Sequence, residues 1–391
     1  MPQLPKRLHS IDILRAITML LMIFVNDASG VKHVPGWIDH AKDYEDRLGF
    51  ADTIFPAFLF IVGLSIPLAI KNRLHKGDTF MQVLFYIVTR SAALVIMGFY
   101  HVNMEDYNES AAILPKAVWA LIITVCFFLI WLDYPPLFSK VKKYVLVGAG
   151  VVGLVIMAVL YVGGDAKHIT MMHPSWWGIL GIIGWAYLVC ALVYFLSRGQ
   201  MPTLILFMLI AVGINVAMHL NLINHQYPVI GDANAVSLVM FGIVASAGYS
   251  WLSEHDKIGQ LWVIFAIAGV LLIAAGFLIR PYTGGISKIR STPAWVFVCG
   301  GITLLMFEFF IYLVDLKGKS AWFRIIRPAG TSTLTCYLMP YFQVYLLSLF
   351  AIDYPEILNN GIIGLTRSMA TAFILIWLVG LMEKKHLRLK V

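Results

Sequence analysis

Residues 51–70 read ADTIFPAFLFIVGLSIPLAI, and after Asp52 the run carries no charge. Wound as an α-helix at 1.5 Å per residue, it spans about 30 Å, the thickness of a bilayer's hydrocarbon core. Lipid offers no hydrogen bonds to a free backbone, so a run of this kind crosses as a helix. Working outward, the same kind of run recurs along the whole chain. Twelve windows qualify: about 11–28, 53–70, 83–100, 114–132, 144–162, 177–196, 202–219, 234–252, 260–278, 294–314, 329–350 and 361–382. The third contains Arg90 and the twelfth Arg367, which makes them the weakest. The fold expected is all-α, a polytopic membrane bundle of about twelve helices (10–12), with residues 1–391 forming one integral membrane domain.

Composition agrees. Hydrophobic residues make up 60% of the 391, charged residues only 13%, and mean hydropathy is +0.82. Soluble domains carry about 25% charged residues. A soluble enzyme, a disordered chain and a nucleic-acid-binding module are all excluded. Cys126, Cys190, Cys299 and Cys336 fall inside apolar runs and form no paired motif. Neither a disulfide framework nor a metal site is expected.

The net charge of +8 is explained by topology. With both termini cytoplasmic, nineteen of the 29 Lys and Arg residues lie inside and nine outside, with Arg15 in the first span. That is the bias of cytoplasmic loops. The inner set includes Lys6, Arg7, Arg90, Arg324 and Arg327, and the outer set includes Lys167, Lys288 and Arg367. The first apolar run is expected to be an uncleaved span, because Asp12 and Arg15 interrupt it and no small-x-small cleavage site follows.

Ionisable residues inside a membrane are functional candidates by default. Asn26 ends the first span and Asp52 begins the second, so both should meet at one outer mouth. Between them VKHVPGWIDHAKDYEDRLGF carries His33 and His40. A carboxylate can hold an imidazole in one tautomer, and an amide can donate to an oxyanion. The competing reading makes Asn26 and Asp52 helix caps and leaves the histidines solvated. Most of the outer histidines, His101 among them, read as interfacial residues. Pro56, Gly63 and Pro67 should loosen the second span, and Pro328 and Pro340 the eleventh, which would allow a cavity. Asp12 and Arg15 stand one turn apart and can pair. Glu308 is expected to be a buried, paired carboxylate. Arginines suit phosphate, and they equally serve as positive-inside anchors.

Several stretches together resemble one family. RLHSIDILRAITMLLMIFVN (7–26), the DHA of 39–41 and ADTIFPAFLFIVGLSI (51–66) resemble the pattern of the heparan-α-glucosaminide N-acetyltransferases. That pattern runs R-L-x-S-x-D-x-x-R-G, a histidine before alanine, then A-D-x-x-F-P-x-F-x-F-I-x-G. ISKIRSTPAWVFVCGG (286–301) and AGTSTLTCYLMPYF resemble later segments of the family, K-N-x-W-T-P-x-x-V and G-x-N-S-L-x-x-Y. Departures are Ala16 in place of glycine and a slightly longer loop after His40. Spans six and seven look extra to the family core, which suggests a divergent bacterial branch.

The resemblance implies a membrane acetyltransferase using cytoplasmic acetyl-CoA as co-substrate and an amino-sugar acceptor at the outer face. It places the catalytic histidine at His40 and its partners at Asp52 and Asn26. Arg15, Arg90, Arg324 and Arg327 are the expected donor-binding residues. A secondary transporter of a sugar or small anion is the alternative, and the oligomeric state, monomer or homodimer, is left open. A two-faced enzyme also needs a donor cavity open from inside. The second span and the STPAWVFVCGG segment around Gly300 are its expected walls.

Overall fold

The computed structural model describes residues 8–165, 168–225 and 227–391. Lys6, Arg7 and Lys167 of the charge argument lie outside the described residues. Thirteen α-helices make up the described chain: α1 (His9–Ala28), α2 (Ala51–His75), α3 (Phe80–Glu105), α4 (Lys116–Trp131), α5 (Lys140–Val159), α6 (Gly178–Leu196), α7 (Met201–His219), α8 (Asn234–Glu254), α9 (Leu261–Ile279), α10 (Pro293–Phe310), α11 (Arg327–Thr331), α12 (Thr333–Leu349) and α13 (Gly361–Lys384). A two-residue hairpin, Gly163–Gly164 with Ile169–Thr170, is the one sheet among them. Among the described residues nine helices are long and apolar enough to cross a membrane, and Lys116–Trp131 is a shorter apolar one. The chain is an integral membrane helical bundle. The twelve windows read from the sequence fall on α1–α10, α12 and α13.

The long helices alternate in direction, and bonds at each end show it. At one end Lys71 pairs with Glu254, the His9 N–H donates to Asp315, and Asp133 pairs with Arg388. At the other Lys32 pairs with Glu356, the Asn103 amide donates to the His173 carbonyl, and Arg280 pairs with Asp46. These ends are called here the Leu8 face and the His40 face.

At the centre, α2 packs along α8. A methyl group on Gly63 would sit 2.0 Å from the Val239 carbonyl, and one on Gly242 2.0 Å from that of Phe60. The two backbones therefore touch, as small residues allow between membrane helices. α5, α7 and α9 lie outermost, with Val151, Val155, Leu209, Ile210, Val270 and Leu271 exposed where lipid would cover them.

Two expectations about broken helices are corrected. α2 runs as one helix through Pro56 and Pro67, because packing against α8 holds it continuous. The eleventh window is interrupted, but at Ser332 (φ −125°, ψ 45°) between α11 and α12, and not at Pro340, which lies within α12. Glu308 is half-buried, and among the described residues it makes no hydrogen bond or ion pair. His101 is also not interfacial. It is buried in α3, stacked on Tyr341 with ring centroids 4.2 Å apart.

Candidate functional site: a histidine–carboxylate pair above a deep cavity

The loop between α1 and α2 is held down before it offers anything chemical. Asp46 accepts from the Arg280 Nε (2.9 Å) and from the Ile286 N–H (2.6 Å). Burial pushes its carboxyl up, but those two donors outweigh burial and keep it below the usual carboxylate range. Gly285, at φ +86°, lets the 283–292 loop come this close, since a side chain there would strike the Asp46 carboxylate. Arg47 bonds Glu45 and reaches the His40 carbonyl at 3.3 Å.

This clamp sets His40 over the first turn of α2. His40 Nδ1 lies 2.6 Å from Asp52 Oδ1. The other carboxylate oxygen accepts from the N–H groups of Ala41 (2.9 Å) and Gly49 (3.1 Å). The Asp52 side chain is 2% exposed and that of His40 is 32%. A carboxylate so placed accepts only, so Nδ1 carries the proton and Nε2 presents a lone pair. The Trp295 indole donates to the Asp52 carbonyl (3.0 Å) and fixes the turn from below. The arrangement can hold an imidazole in one tautomer and accept a proton at Nε2.

Asn26 sits at the same face, exposed in the last turn of α1, and its side chain bonds neither His40 nor Asp52. His33 pairs with Asn360 (3.0 Å) and stays away from the pair. One neighbour was missed. Lys288 places its ammonium 3.4 Å from His40 Nδ1. Burial pushes the Lys288 ammonium down from the ordinary lysine value, and the Asp52 carboxylate opposes that. The only signal in the sequence was its place in the ISKIRSTPAW segment.

Opening toward the Leu8 face is a cavity of about 790 Å³. Along α2 it follows Phe58, Ile61, Ser65 and Asn72, roughly 21 Å of helix. Its far end reaches Phe58, Leu94 and Leu180, and Phe58 lies about 9 Å along α2 from Asp52. Arg15 and Arg90 both line it. Arg15 pairs with Asp12 (3.2 Å), as expected, and also donates to Ser65 (2.6 Å) and the Gly330 carbonyl (3.1 Å). Arg90 donates to the Tyr86 hydroxyl (2.9 Å) and the Val391 oxygen (3.3 Å). Arg324 and Arg327 are exposed outside the cavity. α10 lines none of it, which corrects the second expected wall. Gly300 packs on the Phe241 ring, Gly301 on α9 and Gly63 on α8.

Among the described residues no group of three His, Cys, Asp or Glu side chains is placed to hold a metal. Comparison with known proteins gives two relatives and one family. The chain is 38% identical over 100 residues to the heparan-alpha-glucosaminide N-acetyltransferase of Homo sapiens and 36% over 97 residues to that of Mus musculus. These matches cover 26% and 25% of this chain and 14% of the length of each relative. A family described as "Domain of unknown function (DUF5009)" matches residues 7–218, from α1 almost to the end of α7. That stretch carries His40, Asp52, Arg15 and Arg90 and is more than half of the chain, which therefore belongs to the DUF5009 family.

Proposed function

We propose that the chain is a membrane acetyltransferase that moves an acetyl group from acetyl-CoA, entering at the Leu8 face, to an amino-sugar nitrogen at the His40 face. One observation carries the reading: a long cavity open to one face stops short of a histidine–carboxylate pair seated at the other. The resemblance to N-acetyltransferases supports the same chemistry.

In this reading the donor's phosphates stay among the cavity's cations, and its thin pantetheine arm runs along α2 toward Phe58. The acceptor amine attacks the thioester carbon. A C–N bond forms, the C–S bond breaks, His40 Nε2 takes the amine proton, and coenzyme A leaves as the thiolate, which is then protonated. Asp52 orients His40 and steadies the imidazolium as it forms. The Asn26 side-chain amide, on the same face, is available to the oxyanion or to the acceptor. A two-step route through acetylated His40 uses the same residues.

Twelve crossings with both chain ends in the cytoplasm would put His40 on the periplasmic side of a bacterial inner membrane, and the basic bias supports that orientation. The test is incubation of purified protein with labelled acetyl-CoA and a panel of amino sugars, read by mass spectrometry. Labelled product is expected with the wild type and none with His40→Ala. Equal yield from a folded His40→Ala variant overturns the reading. Uptake of a free sugar into sealed vesicles without acetyl-CoA would favour a transporter instead.

A further inference from the structure

α7 is one of the outermost helices, and of its 19 residues only Leu204, Ala211 and Asn215 are buried. The third is polar, which is costly in a membrane helix unless it finds a partner. The Asn215 side-chain amide donates to the Ser291 carbonyl (3.2 Å). One turn on, His219 closes the helix with both ring nitrogens engaged. Nδ1 lies 2.9 Å from the Asn215 carbonyl oxygen, and Nε2 lies 2.8 Å from that of Arg290. Backbone carbonyls only accept, and a neutral imidazole has a single N–H, so the two bonds coexist only in the imidazolium. The C-terminal end of a helix favours such a charge.

What these two residues hold is the segment that carries Lys288. The Ser291 N–H donates to the Lys288 carbonyl (3.1 Å) and the Arg290 N–H to the Ser287 hydroxyl (3.3 Å), which makes 287–291 one tight turn. Ser291 sits at φ +55°, a left-handed conformation uncommon for serine, so the turn needs outside bonds to keep it. From the same turn the Lys288 ammonium reaches His40 Nδ1 (3.4 Å), and the Arg290 guanidinium reaches the Glu45 carbonyl (3.3 Å) on the loop that carries His40. The charged groups around the His219 ring are Asp232, from the segment before α8, and Arg290 and Lys288, whose side chains are turned to Glu45 and His40. Burial pushes the Asp232 carboxyl up, and the Asn234 N–H and the His219 ring act against that.

We propose that His219, as the imidazolium, is a positioning residue for the His40 site: with Asn215 it fixes the 287–291 turn and, through it, the reach of Lys288. The role in catalysis rests on the acetyl-transfer reading above, whereas the tie itself does not. When the ring loses its proton, one nitrogen becomes an acceptor facing a carbonyl oxygen. That bond is lost, and the turn is left with Asn215 alone on α7. The tie is therefore complete in the protonated state and is lost as pH rises through the histidine range.

The test uses the full chain in detergent, with a nitroxide attached through Ile289→Cys. Ile289 is 60% exposed and the four native cysteines are buried, so the label is selective. In the otherwise wild-type chain the label should be restrained at about pH 5.5 and gain mobility by about pH 8. In His219→Gln, whose amide does not titrate, mobility should be the same at both. Asp232→Asn removes the opposite charge and should move the transition to lower pH. A label indifferent to pH in the otherwise wild-type chain, or a response that survives in His219→Gln, overturns the tie. Acetyl transfer tests the role. His219→Gln should lower it several-fold at about pH 6, and should lower it no further in a Lys288→Met background. Equal transfer by folded His219→Gln, or fully additive losses, overturns the positioning role. If the wild type transfers no acetyl group, the function reading falls and the label still decides the tie.

Discussion

At the scale of single residues, the informative contact is the one that crosses 248 positions, from Lys288 to His40. The groups facing the imidazole are Asp52 from α2, Lys288 from the loop before α10, and Asp39 and Arg47, which bond His40's own backbone. Lys288 reaches the histidine–carboxylate pair from a separate element, so removing its ammonium should disturb the pair's geometry. Lys288→Met should lower acetyl transfer at least several-fold while Lys288→Arg keeps most of it. Full activity in folded Lys288→Met removes the lysine from the site. His40 and Asp52 were legible in the sequence because twelve residues and two helix ends tie them together. Lys288 was not, since an outer-loop lysine reads the same whether it faces solvent or an imidazole.

At the scale of elements, glycine and proline misled in one consistent way. Pro56, Gly63 and Pro67 read locally as loosening, yet Gly63 is where α2 and α8 come closest. Gly63→Ala should cost about 1–3 kcal/mol by forcing two backbones apart, seen as a fall in the unfolding temperature. Gly213→Ala in α7, where a methyl group would meet nothing within 4 Å, should be neutral or slightly stabilising. Equal effects from the two would refute the close contact. The Asp46 clamp sets the behaviour of the loop between α1 and α2 in acid. A carboxyl held below its ordinary value of 3.8 stabilises fully above that pH and stops doing so as pH falls through the lower folded value. A nitroxide attached through Tyr44→Cys should therefore become mobile only below about pH 4, and should already be mobile at neutral pH with Asp46→Asn. Tyr44 is 73% exposed and the four native cysteines are buried, so the label is selective.

At the scale of the whole molecule, helix positions were readable because each apolar run must satisfy its own backbone in lipid. Of the cavity only the α2 wall was, because the rest comes from α1, α3, α6, the α11–α12 break and residues 389–391, elements far apart in sequence. If α2 crosses the membrane, an impermeant maleimide should label Tyr44→Cys and Lys76→Cys from opposite sides of sealed vesicles. Labelling of both from one side would overturn the topology. The tail after α13 has its own consequence. The Leu389 N–H bonds Thr335, the Lys390 N–H bonds the Trp131 carbonyl, and residues 389–391 form part of the cavity wall. The strip therefore works as a latch, and the cavity takes its final shape only once residues 389–391 have docked against α4 and α12. Thr335→Val, which removes the acceptor of the Leu389 N–H, should let the latch swing and weaken ligand binding in the cavity while His40 and Asp52 stay paired, and unchanged binding would refute the latch.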